Sequence, residues 1–324
     1  MYNLLLFVAT ATVTCAFNVT ETHWGKFQEF SQRFNKRYEN IAEFHKRYDI
    51  FSENMDFADS ENAKDHTYTL GVTPYVDLTH REFTSKMGFS MPERFEKCDK
   101  YVTHTESSPS SIDWRELNAV TPVKDQGQCG SCWSFSATGA MEGAWAISEG
   151  TLESFSEQQL VDCSKKYGNH GCNGGLMDSA FEYAIDNGMC VESAYPYTAT
   201  SSGDCQSCST VATMSACVDV TPNNQVDLKD SVAKTPVSIA IEADTLAFQM
   251  YTGGVLTGDA CGTSLDHGVL IVGYGEEDNT EYWLVKNSWG PDWGEDGYIK
   301  IGRSDSTNDE GVCGIAMQPS YPIV

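Results

Sequence analysis

A chain of 324 residues, 40% of them apolar, is long enough to bury one large core or two smaller ones. Its formal net charge of −25 excludes a nucleic-acid binder, because such a surface repels phosphate. The charge is uneven: residues 17–107 carry 12 basic against 16 acidic side chains, and residues 108–324 carry 9 against 30.

Residues 4–13 form an apolar run that leads into Val13, Thr14, Cys15 and Ala16, which predicts a secretory signal over residues 1–16 cleaved after Ala16. The usual Lys or Arg before such a run is missing. No later run is long enough to span a bilayer, so a soluble product of the secretory route is expected. Twelve cysteines suit an oxidising compartment. The pairs Cys129/Cys132 and Cys205/Cys208 could instead hold zinc, but zinc explains neither the signal segment nor the downstream histidine and asparagine, so no metal and no cofactor are expected.

Residues 17–107 read as helical. Trp24, Phe27 and Phe34 fit one face of a short helix, and Ile41, Phe44, Tyr48, Phe51, Met55 and Ala58 then step by three and four as an amphipathic stripe. On periodicity alone this is a partner-binding helix or a short coiled coil. The one N-glycosylation sequon, Asn18-Val19-Thr20, lies here. Residues 101–111, rich in Ser and Thr with Pro109, look like an exposed processing linker.

Residues 126–136 are the centre of the chain. A glycine-rich turn delivers Cys132 to the start of a helix marked by Trp133, Ala137, Ala140, Met141, Ala144 and Trp145. Free N–H groups at a helix start favour a thiolate, the reactive form, so Cys132 is a candidate nucleophile. Ser156 to Val161 read as a capped helix start and residues 177–185 as a further helix. Past residue 235 the pattern turns to strands, at 237–241, 269–272, 282–286 and 298–301. Of the two histidines in residues 108–324, His170 sits in a glycine-flanked loop and reads as solvent-facing, whereas His267 adjoins an apolar strand. A helical lobe with Cys132 would thus face a strand-rich lobe with His267 and Asn287.

The run Cys129-Gly130-Ser131-Cys132-Trp133, with Asp266-His267-Gly268 and Lys286-Asn287-Ser288-Trp289-Gly290 far downstream, resembles the papain and cathepsin family of cysteine proteases, and most of all the cathepsin L branch. Glu43, Arg47, Phe51, Asn54 and Asn62 match the interspersed motif of cathepsin L-like propeptides, with Ala58 replacing isoleucine. Gly71, Tyr75 and Asp77 match a second motif, with Thr73 replacing asparagine.

The resemblance implies an α+β, papain-like two-lobed fold, a helical lobe plus an antiparallel β-barrel-like lobe with the cleft between them. It implies an inhibitory propeptide at 17–107, whose chain after Asp77 runs through the cleft opposite to substrate, and a peptidase domain at 108–324. Cys132 would attack a peptide carbonyl as a thiolate paired with the His267 imidazolium. Asn287 would orient the ring under cover of Trp289, and Gln126 with the Cys132 N–H would hold the oxyanion.

Asn173, Gly174 and Gly175 would pair with substrate backbone. Leu176, Met177, Ala240, Leu265 and Gln318 would line the pocket for the second residue before the cut, with Asp266 among the substrate contacts. Hydrophobic or aromatic residues are expected in that pocket, and endopeptidase action is expected over exopeptidase action or an inactive binding protein. Disulfides Cys129–Cys172, Cys163–Cys205 and Cys261–Cys313 follow from the resemblance. They leave Cys190, Cys208 and Cys217, which implies a free thiol or a different partner for Cys163. Implied partners are peptide substrates, the propeptide itself and cystatin-type inhibitors, for a monomer in a lysosome-like acidic vesicle or the outside medium.

Overall fold

The computed structural model describes residues 23–89, 98–101, 108–201 and 203–324. The expected signal segment, the Asn18 sequon and residues 102–107 of the expected linker lie outside them. Residues 23–89 begin with α1 (Trp24–Arg33) and α2 (Ile41–Asn62), which cross through a ring cluster. Phe27 stacks within 5.2–6.2 Å of Trp24, Phe30, Tyr38, Phe44, Tyr48 and Phe51. The expected faces hold with two changes. Phe30 rather than Phe34 is the fully buried aromatic beside Phe27, and Ile41 at the N-terminus of α2 is 72% exposed, one turn too early to reach the stripe.

The motif residues on α2 serve a local purpose, which is to hold the chain that follows. Asn62 exchanges two hydrogen bonds with Leu70 in β1 (Tyr68–Leu70), and Asn54 donates to the carbonyls of Val76 and Leu78. Arg47 forks onto Glu82 at 2.7 and 2.9 Å, reaches Glu43 at 2.6 Å and donates to the Asp77 carbonyl. Glu82 also closes the Thr79 capping box of α3 (His80–Thr84). Thr73, at the position of the expected asparagine, is buried and donates to the Gln249 carbonyl.

After β2 (Asp99–Lys100) and β3 (Ile112–Asp113), α4 (Cys132–Glu149) is buried from Cys132 through Ala144 and ends at Gly150, whose φ of 73° permits the left-handed stop. Two helices pack beside it: α5 (Glu157–Cys163), capped by Ser156, and α6 (Met177–Asn187). The remaining elements are β4 (Ala216–Asp219), α7 (Gln225–Val232), β5 (Val237–Ile241), α8 (Leu246–Gln249), β6 (Tyr251–Leu256), β7 (His267–Glu277), β8 (Thr280–Lys286), β9 (Tyr298–Gly302) and β10 (Ser320–Ile323).

The sheet runs β1-β6-β9-β8-β7-β5-β10-β4-β2, with β3 on β7. It is antiparallel except at β6/β9 and β2/β4. The two lobes follow from two apolar clusters, one around α4 and α6, the other uniting the strand lobe with the N-terminal helices. No helix of the described residues is long and apolar enough to cross a membrane.

The disulfides extend one expectation and correct another. Cys129–Cys172, Cys163–Cys205 and Cys261–Cys313 are formed, and Cys190 pairs with Cys208. Cys217 pairs with Cys98, 119 residues upstream, so neither a leftover thiol nor another partner for Cys163 is required. Cys98 stands in the stretch assigned to the propeptide, outside the ten cysteines that follow residue 108. Cys132 is the one free cysteine among the described residues, and the other three C-x-x-C sulfurs sit in disulfides, which leaves no zinc set.

Candidate active site

Cys132 opens α4 and is wholly buried. His267 opens β7, where it pairs with Ile241 of β5, and Asn287 directly follows β8. The antiparallel β7/β8 ladder therefore sets histidine and asparagine side by side. His267 Nε2 lies 2.8 Å from Asn287 Oδ1, an oxygen that also accepts the Ser288 N–H at 2.8 Å. That backbone donor fixes which end of the amide faces the ring. Nε2 must then carry a proton, and Nδ1, buried without a hydrogen-bond partner, keeps its lone pair. Trp289 stacks on the imidazole with centroids 4.7 Å apart and shuts water away from the bond.

The Gly268 N–H points at Cys132 Sγ from 3.4 Å, which ties the strand lobe to the thiol. Gln126 is buried, and its Oε1 accepts from the Ser288 hydroxyl at 2.7 Å. Its Nε2 is thereby aimed at two carbonyls 3.0 Å away, those of Cys129 and Lys86. His170 is exposed, as its loop suggests.

Lys86 belongs to the N-terminal segment, which fills this cleft. The Gly175 N–H donates to the Gly88 carbonyl and the Phe89 N–H donates to the Asp266 carbonyl, each at 3.0 Å, and Phe89 pairs in parallel with Gly175. A β-carbon on Gly88 would lie 1.9 Å from the Gly130 oxygen, and one on Gly174 (φ 110°) 2.8 Å from the Gly88 oxygen, so only glycines allow the two backbones to meet. Asn173 is exposed and bridges Gly130.

Phe89 is buried in the apolar cluster that contains Leu176, Met177 and Ala240, with Leu265 partly buried against it; Gln318 stands half-buried before β10. Asp266 touches the segment through its carbonyl. Its carboxylate turns instead onto the N–H groups of Ala243 and Asp244 and is pushed up to about 7, chiefly by burial, with Asp244 and Glu242 adding repulsion.

Covered in this way, the thiol and the imidazole are both pushed toward their neutral forms. Burial pushes Cys132 up to about 11 against the pull of the Gly268, Gly88 and Trp133 N–H groups. Burial holds His267 down to about 4, and the Lys86 ammonium adds to this against the Asn287 bond. Under this segment burial disfavours the charged pair implied by the resemblance, because each partner has lost its water. Chemically, a buried thiol tied to the residue after an oriented imidazole, with an amide donor that already holds main-chain carbonyls, has the groups that acyl transfer needs.

Several features escape a reading of motifs. Lys86, Gly88 and Phe89 carry no pattern beyond following Tyr75 and Asp77. Beneath the site Lys124 joins Glu142 at 2.9 Å and Glu157 at 2.6 Å, while Thr121 and Thr138 close the carboxylates and Lys286 donates to Thr121. All of these except Lys124 are scarcely exposed, and only the odd burial of charges on predicted helices could have pointed to them.

A buried thiol on a helical lobe that faces an oriented imidazole on a strand lobe, sealed by the chain's own N-terminal segment, defines a cysteine hydrolase in precursor form. Residues 108–323 match the papain family cysteine protease model and residues 27–83 the cathepsin propeptide inhibitor domain. The chain belongs to the papain family of cysteine proteases and is made as a proenzyme.

Among relatives, it is 44% identical to the senescence-specific cysteine protease SAG39 of Oryza sativa subsp. indica, over 92% of this chain and 89% of that one. It is 48% identical to the probable cysteine protease RD21C of Arabidopsis thaliana, over 89% of this chain and 65% of that one. Among solved structures, digestive procathepsin L 3 of Tenebrio molitor superposes with a TM-score of 0.84 at 41% identity, covering 93% of this chain and 98% of that one. The recombinant stem bromelain precursor gives 0.85 at 36% identity, with 93% and 98% covered.

Proposed function

We propose that the chain is a cathepsin L-like endopeptidase, processed from a signal segment (1–16) and an inhibitory propeptide (17–107) to a peptidase domain (108–324). Cys132 passes its proton to His267 Nδ1 once the propeptide leaves and water returns to the cleft. The thiolate then attacks a peptide carbonyl. The Cys132 N–H and Gln126 Nε2 hold the oxyanion, Nε2 taking up with substrate the bond it now gives to the Lys86 carbonyl. Asn287 and Trp289 keep the imidazole in line, and His267 protonates the leaving amine before activating the water that clears the thioester.

The single observation that carries this reading is the path of residues 86–89. Main chain passes the thiol with a carbonyl on Gln126 and with Phe89 buried in the apolar cluster to which Leu176, Met177 and Ala240 belong. A polypeptide therefore fits across the cleft on both sides of Cys132, which favours cutting within chains, and the ring marks an apolar or aromatic preference at the second residue before the cut. The parallel pairing of Phe89 with Gly175 supports a reversed direction, which keeps the propeptide from being cut. Asn173, Gly174 and Gly175 would pair with substrate main chain, and Gln318 would close the pocket as a neutral side chain.

The disulfides and acidic surface suit a secretory destination, an acidic vesicle or the outside medium, and a monomer open to cystatin-type inhibitors. The test is to acidify the purified precursor with a thiol and follow hydrolysis of a peptide library together with labelling by an epoxide. Turnover of internal Phe or Leu substrates with the label on Cys132 is expected. A strong preference for Arg over Leu and Phe, or removal of a single terminal residue at a time, would overturn the specificity or the endopeptidase reading.

A further inference from the structure

Residues 108–324 contain ten cysteines, and Cys132 is the free thiol. Nine remain, an odd number that cannot pair among themselves. The structure completes the set from outside that stretch, through Cys98–Cys217. The bond is embedded in a short docked segment. Asp99 and Lys100 form β2, which pairs in parallel with Val218 and Asp219 of β4, and the Tyr101 N–H donates to the Asp219 carbonyl at 3.0 Å. The Cys98 N–H lies 3.4 Å from Asp219 Oδ2, and the Tyr101 hydroxyl donates to Asp230, which also accepts from Ser108. β2 is the terminal strand of the sheet, so this segment covers the β4 edge.

Position along the chain gives the bond its consequence. The inhibitory part, through Phe89, lies on the amino side of Cys98, and the family match to the peptidase begins on its carboxyl side at residue 108. A single cut between Tyr101 and the peptidase breaks one peptide bond and leaves the disulfide whole. From this we propose that one cut does not free the propeptide: release takes a second scission on the amino side of Cys98, and the mature enzyme keeps a peptide containing residues 98–101 as a disulfide-held light chain along β4. Until that second cut, the tether holds the inhibitor at an effective concentration on the order of millimolar, and the cleft stays filled. Reduction by a dithiol is the other exit. Its thiolate displaces one cysteine sulfur as a mixed disulfide, and its second thiol displaces the other, taking two electrons from the dithiol and returning Cys98 and Cys217 as thiols.

The test needs no activity. In full-length precursor made inactive by Cys132→Ala, residues 102–107 are replaced by the recognition sequence of a sequence-specific protease, and the protein is cut there without reductant. One band on a non-reducing denaturing gel and two on a reducing gel are expected. Two bands under both conditions overturn the proposal, as does alkylation of Cys98 or Cys217 in unreduced peptide maps, a readout that stands even if variants misfold. The same precursor with Cys98→Ser and Cys217→Ser must fall into two bands without reductant.

In the active background, single-cut enzyme is expected to label Cys132 with an epoxide at least about tenfold more slowly than the double-serine variant cut at the same place. Equal rates would mean that the tether does not retain inhibition. For acid-matured enzyme, an unreduced mass that accounts for residues 108–324 alone would remove the light chain.

Discussion

The propeptide and the peptidase region are both organised around aromatic side chains, yet they persist for different reasons. The peptidase region carries four internal disulfides, each contributing about 2–4 kcal/mol, and strands buried on both faces. Among its described residues the propeptide has no internal disulfide. Its helices share the apolar cluster of the strand lobe through Tyr75, Phe83 and Trp289, and its turns hang on Arg47, Glu82, Asn54 and Asn62. One region is cross-linked by disulfides of its own. The other is held by packing and polar fastenings, which include groups that acid can discharge.

Cys132→Ala is the change that most sharply separates the two. It should lower peptide hydrolysis on the order of 10⁴-fold or more while propeptide docking is untouched, so the precursor stays uncut in acid. Retained turnover in a steady-state assay would place the nucleophile elsewhere. Asn287→Ala should cost about 10–100-fold in kcat with KM little changed, because the ring loses the acceptor that fixes its tautomer. A KM effect alone would reassign Asn287 to substrate binding.

On the propeptide side, Gly88→Ala places a β-carbon against the Gly130 carbonyl and should weaken inhibition by the cut segment about 10–100-fold. Inhibition constants that do not move would mean that the segment binds without threading the cleft.

The sequence reveals these two regions unequally. α4, β5, β8 and β9 fall close to where periodicity puts them, since each is largely apolar and bounded by glycine, proline or polar residues. Cys132, His267, Asn287 and Gln126 are legible through the motifs that resemble the papain family, since an amide such as Gln126 carries no mark of its own. The cleft contacts of Lys86 and Gly88 were invisible, for a carbonyl on Gln126 and a backbone packed against Gly130 leave no mark on side-chain pattern. A boundary at residue 108 hides Cys98, since the Cys98–Cys217 bond crosses it. The push of thiol and imidazole toward neutrality is likewise a product of long-range burial, which no local motif encodes.

The smallest expected effect concerns an acid-titratable fastening within the propeptide. Arg47 holds Glu82 down to about 2, below an ordinary glutamate near 4.5, while burial acts the other way. A carboxylate depressed within the folded propeptide contributes to that fold, and through it to docking, a stability that is fully present above the unfolded value and is lost as pH falls through the folded one. Here the window runs from about 4.5 to about 2. Glu82 is part-exposed, so solvent screens the pair and the effect is modest. Glu82→Gln keeps the capping geometry of α3 but removes the charge, so propeptide dissociation should be faster at pH 5 and should change less between pH 5 and pH 3, by roughly threefold. Stopped-flow recovery of activity from the cut complex across that range checks it. An unchanged pH profile would move the acid-sensitive step away from the Arg47–Glu82 pair and toward the acidic surface of the peptidase region itself.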